Sequence, residues 1–157
     1  MAVALRPGDP DFIDRVRNSF NRQGFMVLLG ASLTRIEPGC VDIVVPYRAD
    51  LTQQHGFFHA GVTSTIADTA GGYAGYTLFP RDSSVLTVEF KINLVAPARG
   101  NRLCATGRVI KQGRTLTICA FEVFALAAAA PDHGEEQRTL CATGTQTLIC
   151  LYDRADG

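Results

Sequence analysis

No sign of charge predominates in this sequence. Its 157 residues hold 15 Lys and Arg against 15 Asp and Glu, for a formal net charge of zero at neutral pH. The basic residues form no run, so nothing offers an electrostatic footprint to a phosphate backbone, and no nucleic-acid partner is expected. No uncharged apolar stretch approaches the roughly 20 residues that a membrane span needs, so no membrane partner is expected either. The stretch 1–14 carries Arg6 and three aspartates but no apolar signal core, and export is not expected. Cysteine pairs are also missing. There are five cysteines, Cys40, Cys104, Cys119, Cys141 and Cys150, an odd count with no C-x-x-C, and most stand in apolar runs. They fit buried thiols in a reducing cytoplasm better than a disulfide framework or a zinc knuckle. A G-x-S-x-G elbow and a glycine-rich phosphate loop are absent as well. What remains is one cytoplasmic domain over 1–157, with 46% hydrophobic residues to build its core.

The apolar spacing predicts a short helix over 11–20, through Phe12, Ile13, Val16 and Phe20, within an N-terminal helical segment (1–24) that Gly24 ends. Phe25 to Leu29 is simply apolar. Alternation from Ser32 and again over 40–45, around Glu37-Pro38-Gly39, predicts a hairpin. An irregular loop over 51–61 leads into a long helix over 60–78 of unusual composition. One stripe carries Val62, Ile66, Thr69, Tyr73 and Tyr76, and another Ala60, Ser64, Ala67, Gly71 and Gly75. Each interior glycine costs a helix about 1 kcal/mol against alanine. Gly71, Gly72 and Gly75 therefore predict a helix backbone so close to a sheet that side chains do not fit. Strands follow over 85–94, 103–111, 115–126 and 139–151, with a turn at 97–101, a tight hairpin at Gln112-Gly113 and a polar loop over 131–136. The alanine run 127–130 reads as a strand end. This order predicts an α+β fold, an antiparallel sheet with one long helix on its concave face. The absence of βαβ repetition argues against a doubly wound parallel sheet.

Most chemically suggestive residues fall in one window, Gln53-Gln54-His55-Gly56-Phe57-Phe58-His59-Ala60-Gly61, with Asp68 following. A loop entering a helix leaves the first N–H groups unpaired, and these can polarise a carbonyl or hold an oxyanion. Asp68 stands among Ile66, Ala67, Thr69 and Ala70, a costly place for a carboxylate and one suited to general-base or nucleophilic work. Facing solvent or pairing with an arginine is the other role open to it. His55 and His59 have the i, i+4 spacing of a zinc helix, but Gly56 and two phenylalanines intervene in a segment that reads as loop. No metal and no cofactor is expected. Cys119 and Cys141, in mid-strand, read as packing thiols.

These residues resemble the hotdog fold, and within it the PaaI-type acyl-CoA thioesterases, whose motif (N/Q)-x-x-G-x-x-H-G-G is followed by an aspartate nine residues after the histidine. Here the motif runs from Gln53 to Gly61 and the aspartate is Asp68. The resemblance extends over most of the chain from about Phe25 to Ile149, through the strands after Ser84 and the hairpin Lys111-Gln112-Gly113-Arg114-Thr115. It implies hydrolysis of an acyl-CoA, aromatic or medium-chain, with Asp68 as general base or nucleophile and the Ala60 amide polarising the thioester carbonyl beside Gly61. It further implies that His59 orients the loop, that Gln53 holds the carbonyl or the water, and that Thr87 stands near the water. Phe57, Phe58, Tyr73 and Tyr76 become candidates for the acyl pocket. Arg81, Arg99, Lys111 and Arg114 become candidates for CoA phosphates. The site is expected to form across a homodimer, with two dimers associating, so that a monomer is inactive. Two departures stand out: Ala60 replaces the first glycine after the histidine, and Gln53 replaces the commoner asparagine. An enoyl-thioester hydratase or dehydratase and a non-catalytic acyl-thioester-binding protein are the alternatives on the same fold.

Overall fold

The computed structural model describes residues 5–128 and 136–154. The apolar spacing of the first segment yields helix α1, Phe12–Asn21, which buries Val16 and Phe20. Gly24 does not end the helical path, as the sequence suggested, but opens a second helix, α2, Gly24–Leu29. Met26 and Leu29, one turn apart, are its buried pair, and Gly30 closes it with a φ of 65°. The expected hairpin follows as β1, Ser32–Glu37, and β2, Cys40–Pro46. After a single 3-10 turn, Ala49–Leu51, comes α3, Ala60–Tyr76, ending two residues before the expected boundary. Four strands complete the chain: β3, Ser83–Leu94; β4, Arg102–Gln112; β5, Leu116–Ala127; and β6, Gln137–Tyr152. Of the loop expected over 131–136, all but Glu136 lies outside the described residues, as do 129–130 of the alanine run. No helix among the described residues is long and apolar enough to cross a membrane.

The strands form one antiparallel sheet in the order β1-β2-β4-β5-β6-β3, curved around α3. This is the arrangement that the sequence resemblance implies. Helix α3 meets every strand from β2 to β6. The closest approach is at Gly107 of β4, where a Cβ would come within 2.3 Å of the Ala70 backbone. On the helix side, a Cβ at Gly71 would lie 1.9 Å from the Gln146 side chain, and one at Gly75 2.3 Å from Leu148. The glycines thus answer the expectation of close packing at Gly71 and Gly75. Gly72 corrects it: nothing lies within 4 Å of the space a side chain would occupy there.

Strand β3 is an outer edge of the sheet, paired on one side with β6. A bulge between Thr87 and Glu89 leaves Val88 as an extra residue, so the two alternating sets of this strand exchange faces. Before it, Val85 and Thr87 face inward and Leu86 is exposed. Beyond it, Ile92 packs on the core, whereas Glu89 accepts a hydrogen bond from Thr147.

Helix α1 is tied to the far end of α3 by Arg15. Its guanidinium donates to the carbonyls of Tyr76 and Phe79 at 2.8 Å each and to that of Pro80, and lies 4.2 Å from the Tyr76 ring centre. A cation there satisfies carbonyls that the helix end leaves open and complements its dipole. Behind it Asp9, 2% exposed, pairs with Arg15 and Arg81. Burial alone pushes the Asp9 carboxyl up, but the Asp11 amide and the two arginines outweigh it and hold it below its ordinary 3.8. A depressed carboxyl contributes stability that is present above 3.8 and lost as pH falls through its lower folded value. In urea titrations Arg15→Ala should cost about 2–4 kcal/mol at pH 7. The gap between wild type and Asp9→Asn should narrow as pH is lowered from 5 through about 3.

Candidate active site

His59 stands at the N-cap of α3 in extended conformation, and its Nδ1 accepts a hydrogen bond from the Gly61 amide at 2.8 Å. A neutral His59 ring therefore carries its proton on Nε2. The His59 carbonyl accepts from the amides of Val62 at 2.9 Å and Thr63 at 3.3 Å. Of the four amides at this helix start, three are thereby satisfied. The Ala60 N–H is the one without a partner among the described residues, at the positive end of a 17-residue helix. The methyl group that distinguishes Ala60 from the motif's glycine leaves this donor open.

The loop before it is held by its own backbone. Gln53 N–H donates to Phe57 O at 2.9 Å and Gly56 N–H to Gln53 O at 3.0 Å, with Gly56 at a φ of 79°. The Gln53 side-chain oxygen accepts from the His55 amide, while its NH₂ has no partner among the described residues. Gln53, Ala60 and Phe57 line a cleft of about 490 Å³ together with Thr63, Leu94 and Val95. Phe58 also touches this cleft but is 3% exposed and stacks edge-on against Tyr47, so it belongs chiefly to the core.

Asp68 is half-buried on α3 and faces β3 and β6. Thr87 donates from Oγ1 to Asp68 Oδ1 at 2.7 Å, and Gln146 donates from Nε2 to the same oxygen at 3.2 Å. Both bonds fall on Oδ1, so Oδ2 is without a hydrogen-bond partner among the described residues. The carboxylate borders a second cleft, of about 300 Å³, with Gly72, Tyr73, Val85, Leu86 and Thr87. The open space at Gly72, one turn beyond Asp68, belongs to this cleft. The Tyr73 ring packs on Phe20 and Tyr76, and its hydroxyl is held by Gln23 at 2.9 Å and Ser19 at 3.0 Å on the cleft wall.

The two groups of predicted residues are thus each assembled, yet apart within one chain. Eight residues of helix place Asp68 about 12 Å along the axis from Ala60. Tyr76 is fully buried beneath Arg15, and Arg81 is engaged by Asp9 and Asp11. Arg99 is exposed beside the motif loop in a further cleft with Phe57 and Gly56. Lys111 and Arg114 are exposed at the β4–β5 turn, whose Gln112 bonds Leu78 O beyond the opposite end of α3. Sequence reasoning missed Gln146, Ser19 and Gln23. The signal for Gln146 lies in the inward phase of β6, where it stands as a long polar side chain between Ala142 and Leu148.

The family model of the thioesterase superfamily matches residues 55–127. A thioesterase family protein from Silicibacter pomeroyi is 44% identical, with a TM-score of 0.83 over 90% of this chain and 98% of that one. The proofreading thioesterase EntH of Klebsiella pneumoniae is 25% identical over 97 residues, 62% of this chain and 71% of its own. The PaaI protein of E. coli, from the phenylacetic acid degradation operon, shares the fold with a TM-score of 0.73 at 17% identity, over 88% of this chain and 92% of its own.

Two of the cysteines, Cys119 and Cys141, are unsuited to nucleophilic chemistry. Burial pushes the Cys119 thiol up to about 12, and burial likewise pushes Cys141, on the wall of the cleft with Gln53 and Ala60, up to about 11. Thiolate is the reactive form, so neither residue serves as a nucleophile near neutral pH. Native protein treated with iodoacetamide at pH 7.5 should carry no label at Cys119 or Cys141 by peptide mass mapping. Urea-unfolded protein should be labelled at both.

Proposed function

The chain belongs to the thioesterase superfamily and is a thioester hydrolase, and we propose that it cuts an aromatic or medium-chain acyl-CoA to the free acid and CoA. Asp68 acts as general base. Its bare Oδ2 takes a proton from water as the water oxygen bonds to the thioester carbon. The Ala60 N–H receives the oxyanion that forms, and the Gln53 NH₂, its own oxygen already engaged by His55, donates to the same carbonyl. Collapse of the tetrahedral intermediate breaks the C–S bond, and the proton held by Asp68 leaves on the CoA thiol. His59 serves by occupying the Gly61 amide, which keeps the loop in place and directs the open donor at Ala60.

The observation that carries this reading is the division of labour between two clefts. One holds a single unsatisfied amide, the other a carboxylate with one oxygen bare, and a reacting carbonyl must lie roughly 3 Å from both kinds of group. A separation of about 12 Å along α3 prevents one chain from doing so alone. A second copy of the chain supplies the missing half, in a homodimer with its site at the subunit interface. The edge strand β3 supports this arrangement. It runs for 12 residues and exposes Leu86, Val88 and Phe90 to 57%, 56% and 41%, an apolar edge of the kind that soluble proteins cover. Pairing of β3 with its counterpart covers it and sets Asp68 of one subunit near Ala60 of the other. Phe57, Leu94 and Val95 then offer an apolar wall to the acyl chain. Arg99, exposed in the cleft with Gly56 and Phe57, receives the CoA phosphates, whereas Arg114 reaches them if it comes from another subunit. Two dimers associate into a tetramer.

Thiol release from a panel of aromatic and linear acyl-CoAs tests the proposal. Wild type should cleave one class, and Asp68→Asn, which keeps the shape and removes the base, should lose at least about a hundredfold in kcat. Equal activity of the two proteins would remove Asp68 from the mechanism, and no thiol release from any acyl-CoA would remove the substrate class. Light scattering should give a dimer or tetramer for wild type. Val88→Lys on the outward face of β3 should weaken that assembly, with specific activity falling as the protein is diluted.

A further inference from the structure

Gln146 is 1% exposed, deep in β6, and turns its amide toward α3. Its Nε2 lies 3.2 Å from the Asp68 main-chain oxygen, 3.2 Å from Asp68 Oδ1 and 3.4 Å from Thr87 Oγ1, all of them acceptors for it. Its own Oε1 is buried with no hydrogen-bond partner among the described residues. An amide with one end unsatisfied in the core costs stability relative to an apolar side chain of the same size. The fold therefore carries this residue at a loss. Space for it exists because residue 71 is glycine: a Cβ there would stand 1.9 Å from Gln146 Oε1. That glycine is itself unfavourable by about 1 kcal/mol in the middle of a helix. Two destabilising choices on different elements thus converge on one placed NH₂ group.

We propose that Gln146 is a positioning residue for hydrolysis and that Gly71 is its seat. This inference rests on the reading of Asp68 as the base. Gln146 holds the Asp68 carboxylate by Oδ1 and, through the main-chain oxygen, holds the turn of α3 that carries it. Thr87 gives its hydroxyl hydrogen to Asp68 Oδ1 and accepts from Gln146, which closes a three-membered network. With Oδ1 bonded twice, the side chain cannot rotate freely, and Oδ2 stays turned to the cleft where the water is activated. Positioning of this kind acts on kcat rather than on substrate affinity, because it governs the geometry of proton transfer.

The test uses the full chain and an acyl-CoA that wild type cleaves. Gln146→Met keeps the volume and removes the donor. It should lower kcat about 10- to 100-fold, the effect of losing a hydrogen bond to a charged group, with KM within about twofold. Its thermal midpoint should hold or rise, since a buried unsatisfied oxygen goes with the amide. Gly71→Ala should act alike, with a lower kcat and an unchanged or higher midpoint, because the atom it meets is the far end of a flexible side chain. In a Gln146→Ala background, Gly71→Ala should add no further loss of kcat. The inference is overturned if Gln146→Met keeps kcat within about twofold of wild type. It is also overturned if the loss tracks a falling midpoint, or if Gly71→Ala costs as much kcat without Gln146 as with it. Asp68→Asn separates the two levels of argument: activity retained there removes the base itself, whereas activity lost there but kept in Gln146→Met removes the positioning role alone.

Discussion

The contact between the backbone of α3 and the sheet, at Gly107 against Ala70, is the constraint on which the rest of the structure depends. A helix and a sheet normally stand apart by the length of their side chains. Here a strand glycine meets the helix backbone itself, and the sheet must curve to keep touching the helix on either side. The energetic gain is the burial of Ile66, Ala67, Ala70 and Ala74 against β-strand side chains such as Ile43 and Phe121. The chemical gain is reach. A short aspartate side chain on α3 can bond residues on both β3 and β6 because the helix lies so near them.

The same closeness explains why the proposed chemistry divides between two places on one helix. The N-terminus offers amides, and His59 and its carbonyl satisfy three of the first four, so selectivity for a single donor comes from occupying the others. The middle of the helix has no free amides, and a carboxylate is what it contributes. Polarising a carbonyl suits a helix end, where the dipole is uncompensated. Holding a base suits a helix interior, where neighbouring strands fix each rotamer. Neither position can take over the other's task.

Much of this was legible in the sequence. The motif from Gln53 to Gly61, the spacing to Asp68 and the small-residue stripe located both halves of the candidate site and the contact that supports them. Thr87 was expected near the site, and it bonds Asp68 directly. Three things were not legible. Phe25 to Leu29 carries one buried pair, Met26 and Leu29, too little periodicity to mark a helix of six residues. The three helix glycines read as equivalent because composition does not say which way each faces, whereas Gly72 opens on a cleft while Gly71 and Gly75 are filled from the sheet. Gln146 sits in the inward phase of β6, but strand phase there depends on a bulge in β6 itself, where Cys141 is the extra residue opposite Val123 and Phe124, and residue patterns do not reveal it.

The bulge at Val88 bears on how assembly and chemistry are joined in the proposed dimer. A strand with perfect alternation would present one face to α3 throughout. The extra residue lets β3 turn Thr87 inward at the Asp68 carboxylate and keep Leu86 and Val88 outward, then return Ile92 to the core a few residues later. The strand that would cover its apolar edge by pairing with a second subunit is therefore the strand whose hydroxyl is hydrogen-bonded to Asp68. In that dimer, disturbing the pairing of β3 would shift Thr87, and through it the oxygen that Gln146 also holds. In the proposed dimer, subunit association would therefore do more than bring two half-sites within reach of one thioester: it would stiffen the carboxylate end of the site through the strand common to both.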